Sequence, residues 1–89
     1  MIEIVFAPSF FREAKRLAEF NPGLKEEIAE KIELFRDQKN HQALRVHKLH
    51  GGLSDFYSFS VNYKYRIVFE YLSGNEVAFQ NIGDHDVYR

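Results

Sequence analysis

The side chains with the most capacity for chemistry fall in three places. His47, Lys48 and His50 lie close together before a pair of glycines, Arg66 sits between Tyr65 and Ile67, and Asp84, His85, Asp86, Tyr88 and Arg89 follow Gly83. Histidine exchanges protons near neutral pH, and lysine and arginine neutralise phosphate. A carboxylate beside a histidine favours its charged form and orients its ring. Phosphate contact and acid–base work are the chemistry these residues suit. Each also has a plainer reading: solvent-facing loop histidines, Arg66 paired with Glu70 on one strand face, and Tyr88 as a core anchor for the tail. His41, His47, Lys48 and His50 show neither a cysteine nor the tight ligand spacing of zinc sites, so no metal is expected. The chain also lacks a P-loop, a dinucleotide-binding glycine pattern and a nucleophile elbow. No cofactor is implied.

Eighty-nine residues suffice for one domain spanning 1–89 and one core. Hydrophobic residues make up 45% of the chain and aromatics 16%, too much apolar surface for a disordered segment. With no cysteine, packing alone must hold the fold. No apolar run reaches the length of a membrane span and no basic signal-like start is present, so a cytoplasmic protein with no membrane partner is expected. Net charge is -1, which argues against a binder of nucleic acid by bulk charge. The charge is unevenly spread, however. Residues 41–66 carry four basic side chains, one acidic and three of the four histidines, whereas residues 67–89 carry one basic and four acidic.

These groups need elements to position them. Ile2, Ile4 and Phe6 alternate with Glu3 and Val5, predicting a strand up to Pro8. Ser9 is a candidate N-cap for a helix running to about Phe20, with Phe10, Ala14, Leu17 and Ala18 on its apolar face. Asn21-Pro22-Gly23 ends it and starts a second helix, with Asn21 as cap, Pro22 in the first position and Leu24, Ile28, Ile32 and Phe35 as its stripe. The stretch from Gln38 to Val46 reads as a connection. Tyr57, Phe59 and Val61 then mark a strand, Ile67, Phe69 and Tyr71 a second, and Val77, Phe79 and Asn81, alternating with Ala78, Gln80 and Ile82, a third. The expected class is α+β: a strand, a helical hairpin and a three-stranded meander, with the helices packed on a mostly antiparallel sheet.

Val46-His47-Lys48-Leu49-His50-Gly51-Gly52-Leu53, Tyr57-Ser58-Phe59-Ser60-Val61, Tyr65-Arg66-Ile67-Val68-Phe69 and Ile82-Gly83-Asp84-His85-Asp86-Val87-Tyr88 together resemble the RelE/ParE superfamily of toxins, in its RelE/YafQ-like branch. The resemblance runs over nearly the whole chain and implies a RelE-like fold. It also implies the toxin of a type II toxin–antitoxin system, an endoribonuclease (mRNA interferase) that cuts mRNA on the ribosome without a metal and inhibits translation. The implied partners are a cognate antitoxin, in a toxin–antitoxin hetero-oligomer, and the ribosome with its mRNA. Carried over by position, His85 and His47 are the acid–base candidates and Tyr88 the third catalytic candidate. Lys48, His50, Arg66 and Arg45 are the RNA- or phosphate-binding ones. Two further readings stand beside this one. A ParE-like inhibitor of DNA gyrase would leave transcripts whole. A catalytically degenerate antitoxin-binding module is suggested by Ser60, Val61 and Asn62, where RelE itself carries a basic residue.

Overall fold

The computed structural model describes residues 1–51 and 55–84. Five strands form one sheet: β1 (Glu3–Phe6), β2 (His47–Lys48), β3 (Tyr57–Ser60), β4 (Arg66–Tyr71) and β5 (Glu76–Gly83), in the order β1-β5-β4-β3-β2. Two helices, α1 (Pro8–Phe20) and α2 (Leu24–Phe35), follow β1 among the described residues, and a short 3₁₀ turn (Gln38–Asn40) comes after α2. The α+β class and the meander β3-β4-β5 are as the alternation predicts. Among the described residues no helix is long and apolar enough to cross a membrane.

Several boundaries differ from expectation for local reasons. Helix α1 begins two residues early, at Pro8, with Ala7 rather than Ser9 in the N-cap position, and the missing N–H of Pro8 costs nothing in the first turn. Ser9 does not cap it. Its hydroxyl instead donates to the Gln80 carbonyl at 2.7 Å and fastens α1 to β5. Asn21 does not cap α2 either: its Nδ2 donates to the Leu17 carbonyl at 2.6 Å, and its Oδ1 accepts from the Tyr65 hydroxyl at 3.3 Å. The residue before α2 is Gly23 at φ 85, a conformation only glycine adopts without strain, so Pro22 belongs to the turn.

The pairing itself holds two features that no local pattern announces. Strand β1 runs parallel to β5, with Glu3 opposite Glu76 and Phe6 opposite Phe79, while the other pairs are antiparallel. In β5 a bulge intervenes: Phe69 faces Phe79, yet Val68 faces Asn81. The extra residue shifts the alternation, so Ile82 enters the core at 1% exposure and Asn81 moves to the other face. Strict alternation places these two the other way round.

The core lies between the helices and one sheet face. Phe35, Phe59, Phe69 and Phe79 are all fully buried. The Phe35 ring stacks on Phe59 at 4.6 Å and meets Phe69 and Phe79 edge-on at 5.0 and 5.3 Å. Its other neighbour is His41, stacked at 4.4 Å, whose Nε2 lies 2.8 Å from the Phe35 carbonyl. A carbonyl only accepts, so His41 donates there and satisfies one of the carbonyls that α2 leaves open at its end. Asn40 Nδ2 donates to the Leu34 carbonyl at 2.9 Å, which also accepts from the Asp37 N–H at 3.2 Å. His41 is therefore a structural histidine.

Phe35→Ala should cost about 3–5 kcal/mol, the usual range for emptying a buried phenylalanine site. His41→Ala should cost about 2–3 kcal/mol, because it strands a buried carbonyl and removes a stacked ring. Urea unfolding followed by circular dichroism measures both.

Candidate functional site

Among the described residues, no helix covers the second sheet face. Its side chains follow from the pairing: Ser58 and Ser60 from β3, Arg66, Val68 and Glu70 from β4, and Ala78, Gln80 and Asn81 from β5. Strand β2 extends the sheet at its edge, with His47 opposite Ser58 and Lys48 opposite Tyr57. His47, Ser58, Val68 and Asn81 consequently form one row across the sheet. Arg66 occupies the next row, between Ser60 and Gly83. With strands about 4.8 Å apart and a rise of about 3.3 Å per residue, the Cα atoms of His47 and Arg66 stand roughly 12 Å apart on one face. Two long side chains at that separation can reach the same phosphodiester from opposite sides.

The turn that delivers His47 is unusual in its backbone. Residues 41–45 are closed by the Val46 N–H on the His41 carbonyl at 3.0 Å and the Arg45 N–H on the Gln42 carbonyl at 3.1 Å. That pair of bonds is the Schellman closure, whose penultimate residue is left-handed and most often glycine. Here it is Arg45, at φ 61, and among the described residues no other non-glycine has a positive φ. The chain then enters β2, pinned by the Ser60 N–H on the Leu44 carbonyl at 2.8 Å and the Leu49 N–H on the Phe56 carbonyl at 2.9 Å.

His47 is held on both sides of its ring. Its Nδ1 lies 2.8 Å from the Arg45 carbonyl, and its Nε2 lies 3.5 Å from the Ser58 hydroxyl, at the outer limit of a hydrogen bond. Because the carbonyl accepts, Nδ1 carries the hydrogen, and in the neutral ring Nε2 keeps the lone pair. That nitrogen is the atom able to take a proton. Ser58 is fully buried, and its part beside the ring had no signal in the sequence beyond a small polar residue in an alternating strand.

The remaining candidates divide clearly. Arg45, Lys48 and His50 are exposed and follow the sheet edge with His47, forming a basic rim. Arg66 does not pair with Glu70, which accepts instead from Gln80 Nε2 at 2.8 Å. Among the described residues, Arg66 reaches the Lys64 carbonyl at 3.5 Å. None of the ion pairs among the described residues uses Arg45, Lys48 or Arg66. Among the described residues these three charges therefore have no carboxylate partner. His41 is removed from the group by its place in the core, and among the described residues no three His, Cys, Asp or Glu side chains gather as a metal would need. His85 and Tyr88 lie outside the described residues. Strand β5 ends at Gly83 opposite Arg66, so the chain leaves the sheet beside that guanidinium.

A cleft of about 410 Å³ opens on the helical side between α1 and the turn joining β3 to β4, lined by Arg16, Leu17, Lys64, Tyr65, Ile82 and Asp84 among others. The Glu13 carboxylate, hydrogen-bonded to Arg16 at 2.8 Å, holds that guanidinium's pKa above its ordinary value.

The family model of RelE-like toxins of the HigB type II toxin–antitoxin system matches residues 6–85. No curated protein matches significantly in sequence. Among solved structures, YafQ from E. coli strain BL21(DE3) aligns with a TM-score of 0.78 at 13% identity, covering 99% of this chain and 98% of that one. A chain of the YoeB–YefM complex from Staphylococcus aureus aligns at 0.71 with 21% identity, over 96% and 98%. A chain of the E. coli DinJ–YafQ complex aligns at 0.72 with 15% identity, over 98% and 97%. These structures share the fold: two helices on a five-stranded mixed sheet. With its family model matched over most of its length, the chain belongs to the HigB-like RelE-family toxins of type II toxin–antitoxin systems.

Proposed function

We propose that this toxin is an endoribonuclease that cuts messenger RNA on the ribosome and so stops translation. The observation that carries this reading is the orientation of His47: Nδ1 bound to a carbonyl, and Nε2 left as a proton acceptor on the face that also presents Arg66. RNA supplies its own nucleophile, the 2′-hydroxyl. In the reaction His47 Nε2 takes the 2′-OH proton as the O2′–P bond forms. The P–O5′ bond breaks and His85 gives a proton to the departing O5′, leaving a 2′,3′-cyclic phosphate and a 5′-hydroxyl. Arg66 offsets the charge that grows on the non-bridging oxygens. Arg45, Lys48 and His50 hold the neighbouring phosphates along the sheet edge, and Tyr88 supports the acid or stacks a base.

The test is translation in a purified cell-free system with primer extension on the mRNA. The intact toxin should give cleavage within ribosome-occupied codons, and His47→Ala and His85→Ala should each lower the rate by about 10²–10⁴-fold, the usual contribution of one acid–base group. Intact mRNA with undiminished translation overturns the reading. Intact mRNA in cells whose DNA replication has stopped would move the assignment to gyrase.

The partner of this toxin is a cognate antitoxin, and its docking surface is the groove of about 590 Å³ between the helices, floored by Phe6, Phe10, Ala14, Ala18, Ile28 and Ala29. Similar folds are held in the YoeB–YefM and DinJ–YafQ complexes, which supports such a partner here. Small alanines let another backbone approach closely, and Lys15, Glu19 and Lys25 flank the apolar floor as they would the stripe of an amphipathic helix. Ala29 is solvent-facing, so Ala29→Glu should leave the melting temperature nearly unchanged. It should abolish co-elution with the co-expressed antitoxin and release growth arrest from antitoxin control.

A further inference from the structure

Resting on the reading of His47 as the proton acceptor, we propose that Arg45 is a positioning residue whose left-handed backbone selects the tautomer of His47. A histidine free in water populates both neutral tautomers. Only the one with hydrogen on Nδ1 offers Nε2 to a substrate on the sheet face. Three observations tie that choice to residue 45. The Arg45 carbonyl is the acceptor 2.8 Å from Nδ1. The direction of that carbonyl follows from φ 61, a conformation that disfavours any residue but glycine. The strain is retained because the turn around it is over-determined, by Val46 on His41, Leu44 on Asn40 and Ser60 on Leu44. On the opposite side Ser58, paired with His47 across the strands and fully buried, limits rotation of the ring.

The role belongs to the backbone of residue 45, which makes it separable from the Arg45 guanidinium. Glycine accepts a left-handed conformation readily, so Arg45→Gly should retain the tautomer. A β-branched side chain resists it most, so Arg45→Val should lose the tautomer. The measurement is long-range ¹H–¹⁵N correlation of the imidazole nitrogens above the pH at which the ring is neutral, on protein without RNA. In the native chain and in Arg45→Gly, Nδ1 should give the protonated shift and Nε2 the unprotonated one. In Arg45→Val the two shifts should converge toward the averaged values of mixed tautomers. Arg45→Ala, with a smaller steric penalty, serves if the valine variant does not fold.

A native His47 protonated on Nε2, or a valine or alanine variant that keeps the native shifts, overturns the proposal. Because no RNA is present, these outcomes are independent of whether the toxin cuts mRNA. Absence of cleavage with native shifts intact would defeat the nuclease reading alone.

Discussion

The Phe35 ring and its own carbonyl are what the rest of the molecule depends on. The ring closes a fully buried cluster with Phe59, Phe69 and Phe79, one from each strand of the meander, and so docks the end of α2 on the sheet. The carbonyl receives His41 Nε2, and the imidazole stacks on the same ring. One residue thus joins the apolar core to the polar turn that follows it. From His41 the hydrogen bonds lead through the turn to Arg45 and from its carbonyl to His47. The rigidity of the candidate site is inherited from the core through these few contacts.

The two sheet faces divide the work. Helices cover one, where aromatic packing supplies stability, and the other carries histidine, serine, arginine and glycine in rows set by strand pairing. The bulge in β5 serves both faces. It keeps Phe79 and Ile82 buried on one face although two residues, not one, lie between them, and it puts Gln80 and Asn81 together on the second face. Gln80 then engages Glu70, which leaves Arg66 without the carboxylate partner that its own strand offers. A guanidinium with no carboxylate partner among the described residues is what an anion-binding surface requires.

Much of this was legible in the sequence wherever the cause is local. Period-two alternation marked β1 and the meander, helical spacing marked α1 and α2, and the block around His47 identified the candidate residues by type. What escaped depends on contacts distant along the chain. The parallel pairing of β1 with β5, the two-residue strand β2 and the bulge each come from the way strands meet, and the bulge reversed the faces of Asn81 and Ile82. Likewise residue type and local spacing do not tell the three histidines of the basic segment apart; resemblance singled out His47 and His50, and packing shows that His41 is buried while His47 is exposed. The left-handed Arg45 left no mark at all, since glycine is the residue that usually announces such a turn.

The parallel pairing of β1 with β5 also governs when the protein becomes itself during synthesis. Among the described residues, residues 3–6 pair with residues 76–79, so β1 waits for β5. Such a contact closes nearly the whole chain and must follow the local helical hairpin and the β3–β4 pair in time. Phe79, which meets Phe6, Phe10 and Phe35, arrives with that last strand. A nascent chain therefore leaves its helical hairpin without a completed sheet beneath it until β5 has emerged. The order of assembly delays the completed sheet until β5 is available to pair with β1.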